Sequence, residues 1–183
     1  ENTMDASVLY LSGSPRKGGN TEHLLAVMRD ALPGDLVRIM DHEIQPCRSC
    51  WACQKRGHCV IGDDFSSLIM PRMREADAIV IGCPVYFNNV PSQTKALIDR
   101  TWAERGSLRN KVAGAVVVGR KYGAEGAIQA LHAFFIKHDM IVANRGVCAL
   151  GFKCGDVAED DEAHTAAVGL AKRIQALIEM LRQ

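Results

Sequence analysis

The sequence lacks an excess of charge of either sign. Lys and Arg number 22 against 21 Asp and Glu, which leaves +1 over 183 residues. Aromatic residues make up only 5% of the chain and are not interleaved with basic ones, and no basic stripe runs along it. The electrostatic footprint of a nucleic-acid binder is therefore missing. No apolar run approaches the roughly 20 residues of a membrane span. Internal repeats and low-complexity stretches are missing as well. No signal-peptide pattern precedes the first apolar segment, so a cytoplasmic, reducing location is expected. Glu1-Asn2-Thr3 ahead of Met4 reads as a remnant outside the fold. The 48% hydrophobic content is enough for one core, and residues 1–183 read as one domain.

Cysteine is not scarce. Of the seven, four crowd into thirteen residues: Cys47-Arg-Ser-Cys50-Trp-Ala-Cys53-Gln-Lys-Arg-Gly-His-Cys59. Packing does not explain four cysteines in one polar, glycine-containing loop. Four thiolates from one short loop suit a [4Fe–4S] cluster, since two-residue gaps let the chain wrap a compact inorganic cube. Zinc prefers two C-x2-C knuckles separated by a long spacer and fits this spacing less well. A redox dithiol would use two cysteines and leave two unexplained. Disulfides belong to small exported domains. The cluster is the leading reading, free or redox-active thiols the second and zinc the third. Cys83 and Cys148 read as buried strand-end residues, because a free cysteine behaves as a small hydrophobe. Cys154 has no assignment.

The rest of the chain alternates between two periodicities. Strands are expected at Ser7–Ser12, Asp35–Met40, Asp77–Cys83, Lys111–Gly119 and Met140–Cys148. The third and fourth are apolar throughout, as in a sheet covered on both faces. Helices are expected over residues 20–32, from Asp63-Asp64 to about Arg74, over Pro91–Arg105, Gly123–His138 and Glu162–Leu181. Asp63 and Asp64 would cap the second of these. Five strands alternating with five helices give an α/β fold with a doubly wound parallel sheet and right-handed crossovers. Ligands of such sheets bind at the carboxyl ends of the strands near the switch point, so the loops after strands one, three and four are the candidates.

The first of these loops, Ser12-Gly-Ser-Pro-Arg-Lys-Gly-Gly-Asn-Thr21, leaves a strand and enters a helix. Glycines, hydroxyls and free N–H groups at a helix start form an anion nest. Gly19 stands where a Walker lysine would be, which argues against a nucleoside triphosphate and leaves a phosphate monoester with Arg16 as counter-charge. An ordinary Gly-Ser turn is the plain alternative. The second loop, Cys83–Ser92, has a proline-flanked segment with Tyr86 and Phe87 that can support a flat ring; simple packing is its plain alternative. The third, Gly119-Arg-Lys-Tyr-Gly-Ala-Glu-Gly126, is glycine-rich and basic and could edge the same ring or be merely solvated.

Together these motifs resemble the iron–sulfur flavoprotein family, within the flavodoxin-like NAD(P)H-dependent FMN reductases. The resemblance rests on G-S-P-R-K-G-x-N at Gly13–Asn20 and on the four-cysteine loop followed by Val60-Ile-Gly-Asp-Asp64. It rests also on P-V-Y-x-x-x-x-P at Pro84–Pro91 followed by Thr94-Lys-Ala-Leu97 and Asp99-Arg100. It implies a flavodoxin-like three-layer fold with a five-stranded sheet in the order 2-1-3-4-5 and a cysteine loop inserted after strand 2. It implies FMN with its phosphate at Ser14, Arg16, Asn20 and Thr21, its ring at Pro84, Val85, Tyr86, Phe87 and Asn88, and further cofactor contacts at Ser12, Gly119, Gly123 and Glu125. It implies a [4Fe–4S] cluster on Cys47, Cys50, Cys53 and Cys59, and a homodimer or homotetramer. Two departures from the family pattern stand out: Tyr122-Gly-Ala-Glu-Gly126 replaces a Gly-Gly pair followed by Gln-Glu, and Asn88-Asn89 replaces a glycine.

Three functions follow as expectations. The first is an electron-transfer flavoprotein in which FMN and the cluster carry the chemistry and no side chain serves as catalytic acid or nucleophile. Arg48, Lys55 and Arg56 would then moderate the cluster's charge and dock an acidic donor such as a ferredoxin. The second is a cluster-free NAD(P)H-dependent flavin, quinone or nitro-compound reductase with free cysteines. The third is a non-enzymatic metal switch on an inert sheet, against which the three loops argue.

Overall fold

The computed structural model describes residues 6–183; Glu1-Asn2-Thr3 and Met4 lie outside the described residues. The elements follow in chain order. β1 (Val8–Ser12), α1 (Asn20–Ala31) and β2 (Asp35–Arg38) come first, then the short α2 (Ala52–Arg56) inside the cysteine loop and α3 (Met70–Glu75). Next are β3 (Ala78–Pro84), α4 (Ser92–Arg100), β4 (Val112–Gly119) and α5 (Ala124–Lys137). The chain closes with β5 (Ile141–Val142), β6 (Val147–Leu150) and α6 (Asp161–Leu181). The sheet is parallel, in the order β2-β1-β3-β4-β5, with β6 also paired to β4. This is the flavodoxin-like winding, whose switch point lies between β1 and β3.

Alternation along the strands decides which layer each side chain serves. Leu9, Leu11, Ile79, Ile81, Ala115 and Val117 face α3, α4 and α5, while Val8, Tyr10, Val80, Val116 and Val118 face α1 and α6. β3 is buried at every residue but its last and β4 at every residue, as their unbroken apolar sequences dictate. Each fully buried Ile or Val contributes about 1.5–3 kcal/mol. A charge at Val80, which is fully buried, would have no partner in this layer and would break it.

The expected fifth strand is corrected to two short segments. β5 pairs with Val112–Ala113 and β6 with Val116–Gly119, and the register slips by two residues between them. The turn is local: the Gly146 amide donates to Asn144 Oδ1 at 2.8 Å, and Gly146 sits at φ 92°. Cys148, expected to be buried, is exposed, because β6 turns Val147 and Ala149 inward and Cys148 and Leu150 outward. The helix expected from Asp63 to Arg74 opens with a π-turn at Phe65–Ile69 before α3. That expected over Pro91–Arg105 ends as α4 at Arg100 and continues as a 3-10 turn over Thr101–Glu104.

Candidate functional site

Two cavities carry the polar and sulfur chemistry. The first, about 210 Å³, lies at the carboxyl ends of β1, β3 and β4, on the switch point. Ser14, Arg16, Asn20 and Thr21 of the first loop line it together with Pro84, Val85 and Tyr86 of the second. The first loop is held from below. The Gly13 amide donates to the Gly82 carbonyl at 2.7 Å, and Glu22 accepts from the Gly18 amide at 2.7 Å and from Arg38 Nε at 2.5 Å. Among the described residues, the N-cap of α1, Gly19, has no side-chain cap. The amide end of α1 is therefore left for an external anion, as a phosphate cradle requires.

The other expected ligand residues lie off this cleft. Ser12 is fully buried and its hydroxyl donates to Glu22 Oε1 at 3.1 Å, so it sits beneath the loop. Phe87 and Asn88 form the tip of a tight hairpin closed by reciprocal Tyr86–Asn89 amide-to-carbonyl bonds of 2.9 and 3.0 Å. Gly119 packs against Val85, and Gly123 and the start of α5 lie against Asn88. Glu125 lines a separate groove with Cys148.

The third expected loop reaches the cleft through Arg120, whose guanidinium stacks 4.0 Å from the ring of Phe152. One further element that was not anticipated from the sequence also reaches it. Phe152 belongs to a strap, residues 151–156, that follows β6 and is tied to the first loop. Arg16 donates to the Phe152 carbonyl at 3.4 Å, Asn20 Nδ2 to the Lys153 carbonyl at 2.8 Å, and the Gly155 amide to Asn20 Oδ1 at 2.8 Å. The signal was present: Gly151-Phe-Lys-Cys-Gly155 repeats the glycine, aromatic and basic character of the third loop at the end of another strand. The cleft thus has an uncapped helix start, two arginines and a rigid Pro84–Tyr86 wall, and these fit a phosphate ester bearing a flat ring.

The second cavity, about 390 Å³, is lined by all four loop cysteines, Cys47, Cys50, Cys53 and Cys59. Cys47 and Cys50 are exposed and Cys53 and Cys59 half-buried. Left-handed Ser49 and Trp51, at φ 51° and 57°, coil the loop around it, and Trp51 meets Trp102 edge-on at 6.4 Å. Among the described residues no three Cys, His, Asp or Glu side chains are gathered to hold a metal ion. The donor set nevertheless fits a thiolate-ligated cluster in number and chemistry, since four sulfurs of one loop line a single cavity. Arg48, Lys55 and Arg56 are exposed on the same loop.

Arg100, at the end of α4, forms the floor of this cavity, and its side chain is fully buried. Its two terminal nitrogens clamp Asp63 at 2.6 and 2.9 Å. They also donate to the carbonyls of Gln45 (2.9 Å) and Ile61 (3.2 Å) and to Ser66 Oγ (3.1 Å), while Nε donates to Cys59 Sγ at 3.1 Å. Burial works to raise the Asp63 pKa, but hydrogen bonds from Arg100 and the Gln45 amide outweigh it and hold the carboxyl below its ordinary value. Cys83 is the opposite case: burial without a partner pushes its thiol up to about 12.

Comparison with known proteins agrees with this geometry. Residues 6–154 match the family described as NADPH-dependent FMN reductase. An iron–sulfur flavoprotein of Methanocaldococcus jannaschii is 38% identical over 192 residues, covering 96% of this chain and 99% of that protein. Another, of Methanosarcina thermophila, is 35% identical over 183 residues, covering 94% and 95%. The crystal structure of RosB with a bound 8-demethyl-8-formylriboflavin-5'-phosphate intermediate superposes with a TM-score of 0.78 at 18% identity, over 97% of this chain and 80% of that one. This last likeness shows a shared fold. The match over residues 6–154 and the near full-length relatives place the chain in the iron–sulfur flavoprotein family of the NADPH-dependent FMN reductases, as an FMN-binding, flavin-dependent oxidoreductase.

Proposed function

We propose that the chain is an electron-transfer flavoprotein that carries FMN in the switch-point cleft and a [4Fe–4S] cluster on Cys47, Cys50, Cys53 and Cys59, both in one flavodoxin-like domain. The observation that carries the reading is that all four cysteines line a single cavity. When bound, FMN supplies exchange of two electrons together or singly, and the cluster exchange of one.

The chain's own residues bind and orient. The uncapped start of α1 and the Ser14 and Thr21 hydroxyls receive the phosphate, and Arg16 and Arg120 balance its charge. Asn20 fastens the strap beside this site through two hydrogen bonds and thereby limits water access. Pro84, Val85 and Tyr86 form the wall for the ring. This wall is fixed by the Val85 amide, which donates to the Val118 carbonyl at 2.9 Å. No side chain is assigned as catalytic acid, base or nucleophile. Arg48, Lys55 and Arg56 offer exposed positive charge for an acidic donor such as a ferredoxin, with NAD(P)H as the other candidate donor. A homodimer or homotetramer in a reducing cytoplasm completes the reading. No helix among the described residues is long and apolar enough to cross a membrane.

Iron, acid-labile sulfide, zinc and FMN measured per chain on anaerobically purified protein test this. About four iron and four sulfide with one FMN are expected. FMN without iron or sulfide, even after reconstitution, would make the protein a cluster-free NAD(P)H-dependent flavin, quinone or nitro reductase. Absence of flavin as well would leave a metal or thiol switch.

A further inference from the structure

Among the described residues, Cys59 is the one loop cysteine whose sulfur accepts a hydrogen bond from a side chain, at 3.1 Å from Arg100 Nε. The donor is not a mobile surface group. Arg100 has a fully buried side chain, lies 4.7 Å over the Phe65 ring, and has its terminal nitrogens engaged by Asp63, two carbonyls and Ser66. Its planar fork is therefore locked, and Nε is the donor left to point at the cavity. A surface lysine or arginine beside a sulfur would be screened by water and salt; this one is not. The investment is also costly. A buried ion pair seldom stabilises a fold more than apolar residues of the same volume would, so stability alone does not account for this one at the wall of the cysteine cavity.

We propose that Arg100 is a positioning residue for the redox centre: its Nε–H fixes the Cys59 sulfur at the cavity floor and, with its buried charge, raises the reduction potential of the centre that Cys59 ligates. The physical basis is general. Adding an electron to a thiolate-ligated centre increases the negative charge on its sulfurs, and an N–H donor or fixed cation at a sulfur stabilises that more negative state. The effect is asymmetric. Cys47, Cys50 and Cys53 have no such donor among the described residues, so the sulfur at the junction with the core is both the anchored one and the electrostatically favoured one. Asp63 has a second-order role here, since it holds the guanidinium in plane and partly cancels its charge.

The inference rests on the cluster reading above, and the experiment separates the two. Full-length protein is reconstituted anaerobically as wild type, as Arg100→Lys, and as the neutral pair Arg100→Gln with Asp63→Asn, which leaves no unpaired buried charge. Iron and sulfide are counted, the fold is checked by circular dichroism, and the midpoint potential is read by electron paramagnetic resonance during a redox titration. At equal iron loading the neutral pair is expected to have a lower midpoint than wild type. Arg100→Lys, which keeps charge but not the fork, is expected to fall between them. Equal midpoints at full loading would overturn the role of Arg100 while leaving the cluster intact. A wild-type protein without iron or sulfide would instead remove the cluster reading, and this inference with it. Should the neutral pair not fold or not hold iron, Arg100→Lys carries the comparison alone, and a wild-type midpoint in that variant would overturn the proposal.

Discussion

Gly13 lies directly over Thr94: a Cβ built on Gly13 would come within 2.1 Å of the Thr94 hydroxyl oxygen, and within 3.2 Å of Cys83 Cβ. The hydroxyl is fully buried and has no hydrogen-bond partner among the described residues. A Cβ at position 13 would therefore force Thr94 or the first loop to shift. Gly13→Ala is expected to cost about 1–3 kcal/mol of stability through overpacking. It should also weaken FMN binding roughly tenfold or more, on the order of 1.4 kcal/mol. Adding Thr94→Ala should recover part of both losses by removing the oxygen in the way. Denaturant melts and flavin fluorescence titration of the single and double variants provide the check.

Asp63 and Arg100 make stability depend on acid. The Asp63 carboxyl titrates below its ordinary value in the folded protein. The pair's contribution is therefore complete above the ordinary carboxylate range and is lost as pH falls through the lowered folded value. Asp63→Asn leaves the Arg100 charge buried without its partner and should cost about 3–5 kcal/mol at neutral pH. That gap should narrow steadily in urea melts taken towards pH 3. A gap independent of pH would mean that the carboxylate is not what holds the arginine.

The contrast between these two sites explains what the sequence could disclose. β3 and β4 announce themselves because a strand buried on both faces must be apolar throughout, and the first loop through glycines and hydroxyls between a strand and a helix. The cysteine loop is legible from its own spacing, whereas the winding order comes only with the resemblance to the family. Arg100 enters the sequence reading only as part of the Asp99-Arg100 motif, with no role, because its partner Asp63 lies 37 residues away. Asp63 reads as an N-cap, and it does accept from the Ser66 amide at 3.4 Å, but its stronger contacts are to Arg100. Ser12, expected at the cofactor, lies buried beneath the loop with its hydroxyl on Glu22, which is a tertiary contact. The break between β5 and β6 was masked by valines on both sides of a turn that only Asn144 and Gly146 mark.

The seven cysteines should separate by reactivity. Burial pushes the Cys83 thiol up to about 12. At pH 8 that lowers its thiolate fraction on the order of a thousandfold relative to an ordinary cysteine. Cys148 and Cys154 are exposed. Burial of the Cys148 sulfur, together with Glu125, pushes its thiol up, so native protein treated with iodoacetamide and mapped by mass spectrometry should label Cys154 within minutes, Cys148 more slowly and Cys83 only after unfolding. If the proposed cluster is bound, Cys47, Cys50, Cys53 and Cys59 should join the reactive set only after iron is chelated. Labelling of all four loop cysteines at full rate in protein that still holds its iron would exclude them as ligands.

The hairpin beside the cleft stores strain where a side chain is fully exposed. Phe87 and Asn88 sit at φ 48° and 59°, a left-handed pair of the kind that two-residue hairpins need, and Phe87 has no burial to compensate. The left-handed conformation costs a non-glycine residue about 1–2 kcal/mol. Its position is imposed from the far side, where the Asn88 carbonyl would meet a Cβ on Gly126 at 2.0 Å, so the hairpin presses on α5 and cannot relax in that direction. Phe87→Gly would release that strain and give back about 0.4–1 kcal/mol through the more flexible unfolded chain. A net gain of roughly 0.5–1 kcal/mol in stability is expected from these two terms, with FMN affinity unchanged, because Phe87 does not line the cleft. Urea melts of the variant and flavin titration provide the check. A fall in stability would mean that the left-handed turn is not strained, and a changed FMN affinity would mean that Phe87 reaches the cleft.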